Sequence, residues 1–159
     1  MKITVIAVGK LKEKYLRDGI SEYAKRLSRF CDFEIAEVAD EKAPENLSAA
    51  LEAQVMKKEA ERISKKIPDG SKLIVLDING KRMNSVAFAG KIENFFNSGV
   101  SHITFVIGGS LGIDKELLGK ADLQLSLSDM TFTHKLTRLI LSEQVYRAFK
   151  IINGETYHK

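Results

Sequence analysis

The residues between 126 and 138 combine side chains that could handle protons and negative charge. This segment, Ser126 to Arg138, holds five hydroxyl side chains, the imidazole of His134 and the guanidinium of Arg138. An imidazole exchanges a proton near neutral pH, and a guanidinium stabilises an anion. Because Arg138 follows His134 by four residues, both would project from nearly the same face of a helix. The segment is therefore a candidate for acid–base chemistry.

A glycine-rich run lies shortly before this segment and could admit a ligand. Residues 103–107 are mostly apolar and end at Gly108-Gly109-Ser110-Leu111-Gly112, while the alternating residues 123–127 lead into Ser128. Glycine lets a ligand approach bare backbone, and open α/β sheets bind ligands at the carboxyl ends of their strands. Two neighbouring strand ends predict one site, although a plain tight turn would explain the glycines equally well.

The glycine run does not match the common nucleotide-binding signatures. The dinucleotide fingerprint requires G-x-G-x-x-G after the first strand, and the phosphate loop of NTPases requires Lys-Ser/Thr after its glycines. The chain contains neither, and it also lacks C-x-x-C, H-E-x-x-H and a serine nucleophile elbow. Metal catalysis and serine hydrolysis therefore have no support, and no metal is expected.

Size and composition are typical of one globular domain spanning residues 1–159. The chain is 44% hydrophobic and 29% charged, and a chain of this length can bury a core. Cys31 is the sole cysteine, so no intrachain disulfide forms, and the thiol is predicted to be buried. No run approaches the roughly 18 apolar residues of a membrane span, and the N-terminus is typical of a strand rather than a signal peptide. A cytoplasmic protein without a membrane partner is expected.

Positive charge is concentrated at the two ends of the chain. Residues 1–31 carry eight Lys and Arg against three acids, residues 131–159 carry five against two, and the middle carries twelve against sixteen. Solvated helix faces explain this pattern, and charge alone favours that interpretation. The alternative is a phosphate-binding surface formed by Lys10, Lys12, Lys14, Arg17, Lys135, Arg138 and Lys150.

Strand and helix patterns alternate about five times along the chain. Apolar or alternating runs predict strands at 2–8, 32–39, 73–78, 103–107 and 123–127, with helices after them and a last helix over 133–152. Asn79-Gly80 is expected to end the third strand, and Ser85 to cap the following helix. This order predicts an α/β protein whose mostly parallel sheet has helices on both faces.

Several segments together resemble the RlmH family, the methyltransferases H of bacterial large-subunit ribosomal RNA. The likeness is carried by FVIGGSLG (105–112), LSLSDMTFTHKLTRLILSEQVYRAF (125–149) and the terminal GETYHK (154–159). The opening MKITVIAVGKLKEKY (1–15) and the DEKAPEN loop (40–46) are similar too. The resemblance thus covers essentially the whole chain.

The resemblance implies a SPOUT fold, in which the C-terminal segment is threaded through a loop as a deep trefoil knot. Knots are nearly absent from proteins, so periodicity alone does not predict one. The resemblance further implies that the knot binds S-adenosylmethionine and that the chain acts as a homodimer. The implied reaction is methylation of N3 of a pseudouridine in 23S ribosomal RNA, within the ribosome, in the helix that reaches the subunit interface.

The family's cofactor contacts can be carried over to matching positions of this chain. Two departures stand beside them: Thr133 replaces a proline that some relatives have before the histidine, and Lys135 follows the histidine. These changes could alter the stiffness of the loop, but cofactor binding through backbone groups is expected to survive them. The matching residues are Leu76, Gly108, Leu127, Ser128, Asp129, Met130, Thr131 and Phe132.

Methyl transfer to an imide nitrogen requires positioning and the removal of a proton. Orientation can supply roughly 7–11 kcal/mol, and a base or a nearby cation favours the imide anion. The catalytic candidates are His134, Arg138, Tyr157 and His158. Each has a plainer interpretation: a helix cap for His134, a surface ion pair for Arg138, and a disordered tail for Tyr157 and His158.

Three classes of function remain open from the sequence. The resemblance favours an S-adenosylmethionine-dependent rRNA methyltransferase. A catalytically silent RNA- or ribosome-binding module is the first alternative, against which the intact glycine loop counts. A generic nucleotide-binding enzyme is the second, weakened by the missing phosphate loops. As a homodimer, the chain is expected to bury its last helix, with Tyr146 and Phe149 near the contact.

Overall fold

The computed structural model describes residues 1–157, which form five strands and five helices. The strands are β1 (Lys2–Val8), β2 (Asp32–Val38), β3 (Lys72–Arg82), β4 (His102–Ile107) and β5 (Leu123–Ser126). The helices are α1 (Lys14–Leu27), α2 (Ala49–Ser64), α3 (Ser85–Asn97), α4 (Lys115–Gly119) and α5 (His134–Ile152).

The strands form one sheet in the order β2-β1-β4-β3-β5, and every neighbouring pair is parallel. Side chains of β1 alternate between the two faces, as the period of two requires. Ile3 and Val5 pack with α1, α3 and α5 on one face, whereas Ile6 and Val8 pack with α2 and α4 on the other. The predicted parallel α/β sheet covered on both faces is therefore confirmed.

The third strand is longer than predicted. It continues through Asn79-Gly80 to Arg82, with a shift of register against β5 between Leu76 and Lys81. The prediction that the strand ends at Asn79-Gly80 was wrong, because these two residues form an irregular stretch of the strand. A Cβ at Gly80 would lie 2.7 Å from the backbone carbon of Gln124, so only glycine permits this close approach.

We expect Gly80→Ala to destabilise the fold by about 1–3 kcal/mol, because its methyl group would meet backbone rather than a side chain that can move. Gly90→Ala is the matched control. Gly90 lies in α3, where an added Cβ has no neighbour within 4 Å, so alanine should stabilise by roughly 0.5–1 kcal/mol. Denaturant unfolding of both variants measures the difference. Equal stability of the two variants would contradict this assignment of Gly80.

Helix α5 is the central helix of its layer and packs against α1 and α3. Phe149 is 1% exposed and stacks on Phe30 with ring centroids 5.6 Å apart, and Tyr146 is 8% exposed beside Tyr23. Both rings are core residues of the protomer, and their nearness to a dimer contact stays a prediction.

Two local predictions have different outcomes. Cys31 is buried as predicted, and burial raises the pKa of its thiol to about 12. Ser85 does not cap α3: the cap is Asn84, whose side-chain oxygen accepts the Ala87 N–H at 2.8 Å.

Across residues 1–157, no helix is long and apolar enough to cross a membrane. The threading of the C-terminal segment stays a prediction.

Candidate active site

A cavity of about 1100 Å³ opens at the carboxyl-terminal edge of the sheet. Its walls are the ends of β3, β4 and β5, the glycine loop 108–112, the segment 127–133 and the first turn of α5. Segment 127–133 leaves β5 at the edge of the sheet, and α5 then returns to β1, to which Arg138 binds. The segment therefore crosses the ends of β3 and β4 and closes one side of the cavity.

The glycine loop is a tight turn that only glycines allow. Gly112 has φ +95° and its N–H donates to the Gly109 carbonyl at 3.1 Å. A Cβ at Gly108 would lie 2.8 Å from the Gly112 carbonyl oxygen and 2.7 Å from Ile113 Cδ1. Gly108 is therefore required by the turn itself, and a Gly108→Leu variant would disturb the loop before it tested any contact with a ligand.

The segment after β5 is held by its own hydrogen bonds. The Ser126 hydroxyl donates to the Ser128 carbonyl, and the Met130 N–H donates to the Ser128 hydroxyl, both at 3.0 Å. Seven of the eight residues matched to cofactor contacts line the cavity, and Asp129 does not. Its carboxylate lies 2.5 Å from the exposed Arg82 guanidinium, so the Asp129 side chain ties the segment to the end of β3.

His134 is the first residue of α5, and its ring lines the cavity. The helix cap is Thr133, whose hydroxyl accepts the Leu136 N–H at 3.3 Å, so the capping interpretation of His134 is wrong. Burial lowers the pKa of the His134 imidazole, and the charges of Arg138 and Lys135 lower it further. The ring is therefore mostly neutral at pH 7 and can accept a proton.

Arg138 lies behind the cavity and does not line it. Its side chain is 1% exposed. One terminal nitrogen donates to Glu37 Oε1 at 2.9 Å, and the other donates to the carbonyls of Val8 and Gly9 at 2.7 and 2.8 Å. The same carboxylate oxygen of Glu37 accepts the Leu11 N–H at 2.8 Å. Arg138 thus fastens α5 to the end of β1. Its burial rules out a surface ion pair, and its catalytic role stays a prediction.

Tyr157 lies apart from the cavity of its own protomer. Its hydroxyl donates to Glu143 Oε1 at 3.1 Å, and its ring meets Tyr146 edge-on at 4.9 Å. Burial, followed by Tyr23 and Glu143, raises the pKa of the Tyr157 phenol, so the hydroxyl stays protonated. Glu143 is nine residues beyond His134, or about 13 Å along the helix. One protomer therefore does not bring Tyr157 and His134 together.

The proposed catalytic residue His158 lies outside the described residues. Of the predicted phosphate-binding residues, Lys150 is 9% exposed and pairs with Glu155, and Arg138 is buried and pairs with Glu37. Both are therefore excluded from a surface that grips RNA. The remaining members stay accessible, with Lys135 half-buried and the other four exposed: Lys10, Lys12, Lys14 and Arg17.

Three charged residues of the cavity were missing from the predicted site. Glu13 and Asp77 add negative charge to its wall, and Lys135 adds positive charge. Asp77 interrupts the otherwise apolar run 73–78 of β3, and such an interruption could have marked it in the sequence. Glu13 has no comparable signal, because it precedes α1 among several other charged residues. Within residues 1–157, no cluster of three His, Cys, Asp or Glu could hold a metal ion.

Comparisons with known proteins agree on one family. The family model described as "Predicted SPOUT methyltransferase" matches residues 1–158. The chain is 66% identical to ribosomal RNA large subunit methyltransferase H of Acetivibrio thermocellus and 60% identical to that of Ruminiclostridium cellulolyticum. Both alignments span 159 residues and cover all of each chain.

Solved structures of lower sequence identity share the fold. A probable methylase family protein from Haemophilus influenzae aligns with a TM-score of 0.53 at 16% identity, covering 99% of this chain and 70% of the other. A methyltransferase candidate from Legionella pneumophila, in complex with the bound cofactor SAM, aligns with a TM-score of 0.51 at 12% identity, covering 94% and 66%.

Proposed function

Because this chain belongs to the SPOUT methyltransferase family, we propose that it transfers the methyl group of S-adenosylmethionine to N3 of a pseudouridine in 23S ribosomal RNA. The name shared by its relatives supports the large ribosomal subunit as the place of the substrate. The proposed setting is the cytoplasm, with the ribosome as partner.

The cavity at the strand ends is the observation that carries this proposal. Seven residues matched to the family's cofactor contacts line it, although they come from β3, the glycine loop and the segment after β5. Its charged side chains are Glu13, Asp77 and Lys135, while His134 is mostly neutral. The resulting excess of negative charge suits a cationic ligand such as a sulfonium. The fit supports S-adenosylmethionine, which would supply an electrophilic methyl group here.

Within the cavity, His134 is the residue best placed to take the imide proton. It is mostly neutral near pH 7 and lines the wall, and its imidazole makes no hydrogen bond to another described residue. Glu13 is a poorer base because its carboxylate is paired with Lys135, which holds its pKa low. Removal of the proton would leave an anionic nitrogen, the nucleophile to which S-adenosylmethionine could transfer its methyl group as its S–CH3 bond breaks and S-adenosylhomocysteine leaves.

We further propose that the enzyme is a homodimer with a knotted C-terminal segment. Tyr157 and the cavity of the same protomer are separated by more than two turns of α5, as the path from His134 to Glu143 indicates. If the tail contributes to catalysis, it therefore acts on the cavity of a second protomer. The crossing of segment 127–133 over the ends of β3 and β4 is compatible with the threading that the family implies.

The proposed function is tested in two steps. Isothermal titration of the purified protein with S-adenosylmethionine is expected to show binding, because the cavity needs no RNA to form. Ribosomes from a strain that lacks the enzyme should then gain one methyl group on a pseudouridine, mapped by mass spectrometry of 23S RNA fragments. Cofactor binding with no methylation of ribosomes or free subunits would instead support a catalytically silent RNA-binding module.

A further inference from the structure

An ion pair at the rim of the cavity joins the residue before α1 to the first turn of α5. Glu13 Oε1 lies 2.5 Å from Lys135 Nζ, and the two side chains are 33% and 35% exposed. Both residues line the cavity. The Lys135 ammonium is the largest cause that lowers the pKa of the Glu13 carboxyl. An entering ligand thus meets a paired negative and positive charge.

Lys135 has a special position among the charges of the cavity. It is the only Lys or Arg among the described residues of the wall, so an anionic group that enters has one cationic side chain to bind. That side chain is already occupied by Glu13. A half-exposed ion pair stabilises the fold by only about 0–1 kcal/mol, so replacing the Glu13 carboxylate by another oxyanion at Lys135 costs little free energy.

The charges around Glu13 indicate which anion Lys135 would receive. Four cations lie on the stretch that contains Glu13, and all of them are exposed. Of these, only Lys14 has an ion pair with another described residue, to Asp18 at 2.5 Å. Because Glu13 stands among these cations in the chain and pairs with Lys135, a nucleic acid backbone bound to them would lie near Lys135. The four are Lys10, Lys12, Lys14 and Arg17.

We propose that Lys135 is the innermost phosphate contact of the substrate RNA and that Glu13 holds it until the RNA enters. The proposal rests on the function proposed above. In the empty site Lys135 Nζ binds Glu13. In the complex it binds a non-bridging phosphate oxygen beside the target nucleotide, and the freed Glu13 carboxylate returns to solvent. Glu13 then acts against RNA binding and Lys135 acts for it.

This arrangement predicts effects of opposite sign for the two partners of one ion pair. Lys135→Gln should raise the KM for ribosomal RNA about fivefold, and Glu13→Gln should lower it about twofold, because each changes a contact of this modest strength. Lys135→Gln should also reduce the slope of log affinity against log salt by about 0.7–0.9. Lys135→Gln should not weaken S-adenosylmethionine binding, whereas Glu13→Gln removes one negative charge of the cavity, so the Kd for S-adenosylmethionine is measured separately for each variant. Lys135→Arg, which keeps the charge, should restore RNA binding.

Lys72→Gln is the matched control. Lys72 pairs with Asp122 at 2.7 Å with exposures of 37% and 32%, nearly those of the rim pair, but it lies at the start of β3. Losing this pair should leave the KM for RNA unchanged. Thermal unfolding of all variants shows whether either pair serves as a brace between elements.

Three results would overturn the proposal in distinguishable ways. If Glu13→Gln and Lys135→Gln both weaken RNA binding and lower the Tm together, the pair is a structural brace. If Lys135→Gln weakens S-adenosylmethionine binding but not RNA binding, the oxyanion is the cofactor's carboxylate. If the wild-type protein neither binds S-adenosylmethionine nor methylates RNA, the proposed function itself fails, and this inference fails with it.

Discussion

His134→Ala is expected to lower kcat for rRNA methylation by about 10²–10⁴-fold, the usual contribution of a positioned general base. The Kd for S-adenosylmethionine should be nearly unchanged, because the cavity walls and the cap at Thr133 remain. Single-turnover methylation with saturating cofactor measures the chemical step directly. A wild-type rate for His134→Ala would remove His134 from the mechanism.

The pH dependence gives a second test of the same residue. Only neutral His134 can accept a proton, so activity should fall as the pH drops through the pKa that His134 has in the folded protein. This pKa lies below the ordinary histidine value of about 6.5. His134→Ala should lose this acidic limb along with most of its activity. If the residual activity of His134→Ala still fell at low pH in the same way, a group other than His134 would be the one that titrates.

His102→Gln is the matched control for the pH profile. Burial also lowers the pKa of His102. This residue, however, begins β4 at the amino-terminal ends of the strands, opposite the cavity, and its Nε2 lies 2.9 Å from the Thr4 hydroxyl. It should keep the acidic limb. Both histidines bind protons more readily in the unfolded chain, so stability falls as the pH drops below about 6.5. Activity is therefore to be measured where the circular dichroism of the fold persists.

The order of strands and helices could be predicted because β1 and β4 are almost fully buried and have continuous apolar runs. The length of β3 could not, since Asn79-Gly80 has the composition of a turn. Its extended path depends on the approach of β5, which is more than 40 residues away in the chain. Local propensity yields to such tertiary contacts.

The site was predictable where it follows from strand ends and not where it depends on distant charge pairs. The glycine loop and His134 lie in local patterns that indicate a ligand site. Glu37, in contrast, only interrupts the alternation of β2, and its partner Arg138 lies 101 residues further along the chain. No local pattern shows that these two charges meet, so the burial of Arg138 could not be predicted from the sequence.

Arg138→Met is expected to destabilise the protein by about 3 kcal/mol, the lower end for breaking a buried ion pair, because Glu37 is 37% exposed. The variant would leave the carbonyls of Val8 and Gly9 without their donor. For a chain of this size the Tm should fall by roughly 6–12 °C. Arg138→Lys should recover only part of the loss, since one ammonium cannot reproduce the planar fork that reaches three acceptors.

The double variant Glu37→Leu/Arg138→Met separates a structural role from a catalytic one. In Arg138→Met the Glu37 carboxylate is left without its cationic partner, and Glu37→Leu removes that carboxylate. The double variant should therefore be more stable than Arg138→Met alone. Methylation is then measured below the Tm of each variant, with wild-type protein at the same temperature. If Arg138 contributes only to stability, activity should recover together with stability in the double variant. If Arg138→Met keeps wild-type stability yet loses turnover, or if the double variant regains stability without activity, the guanidinium has a direct part in catalysis.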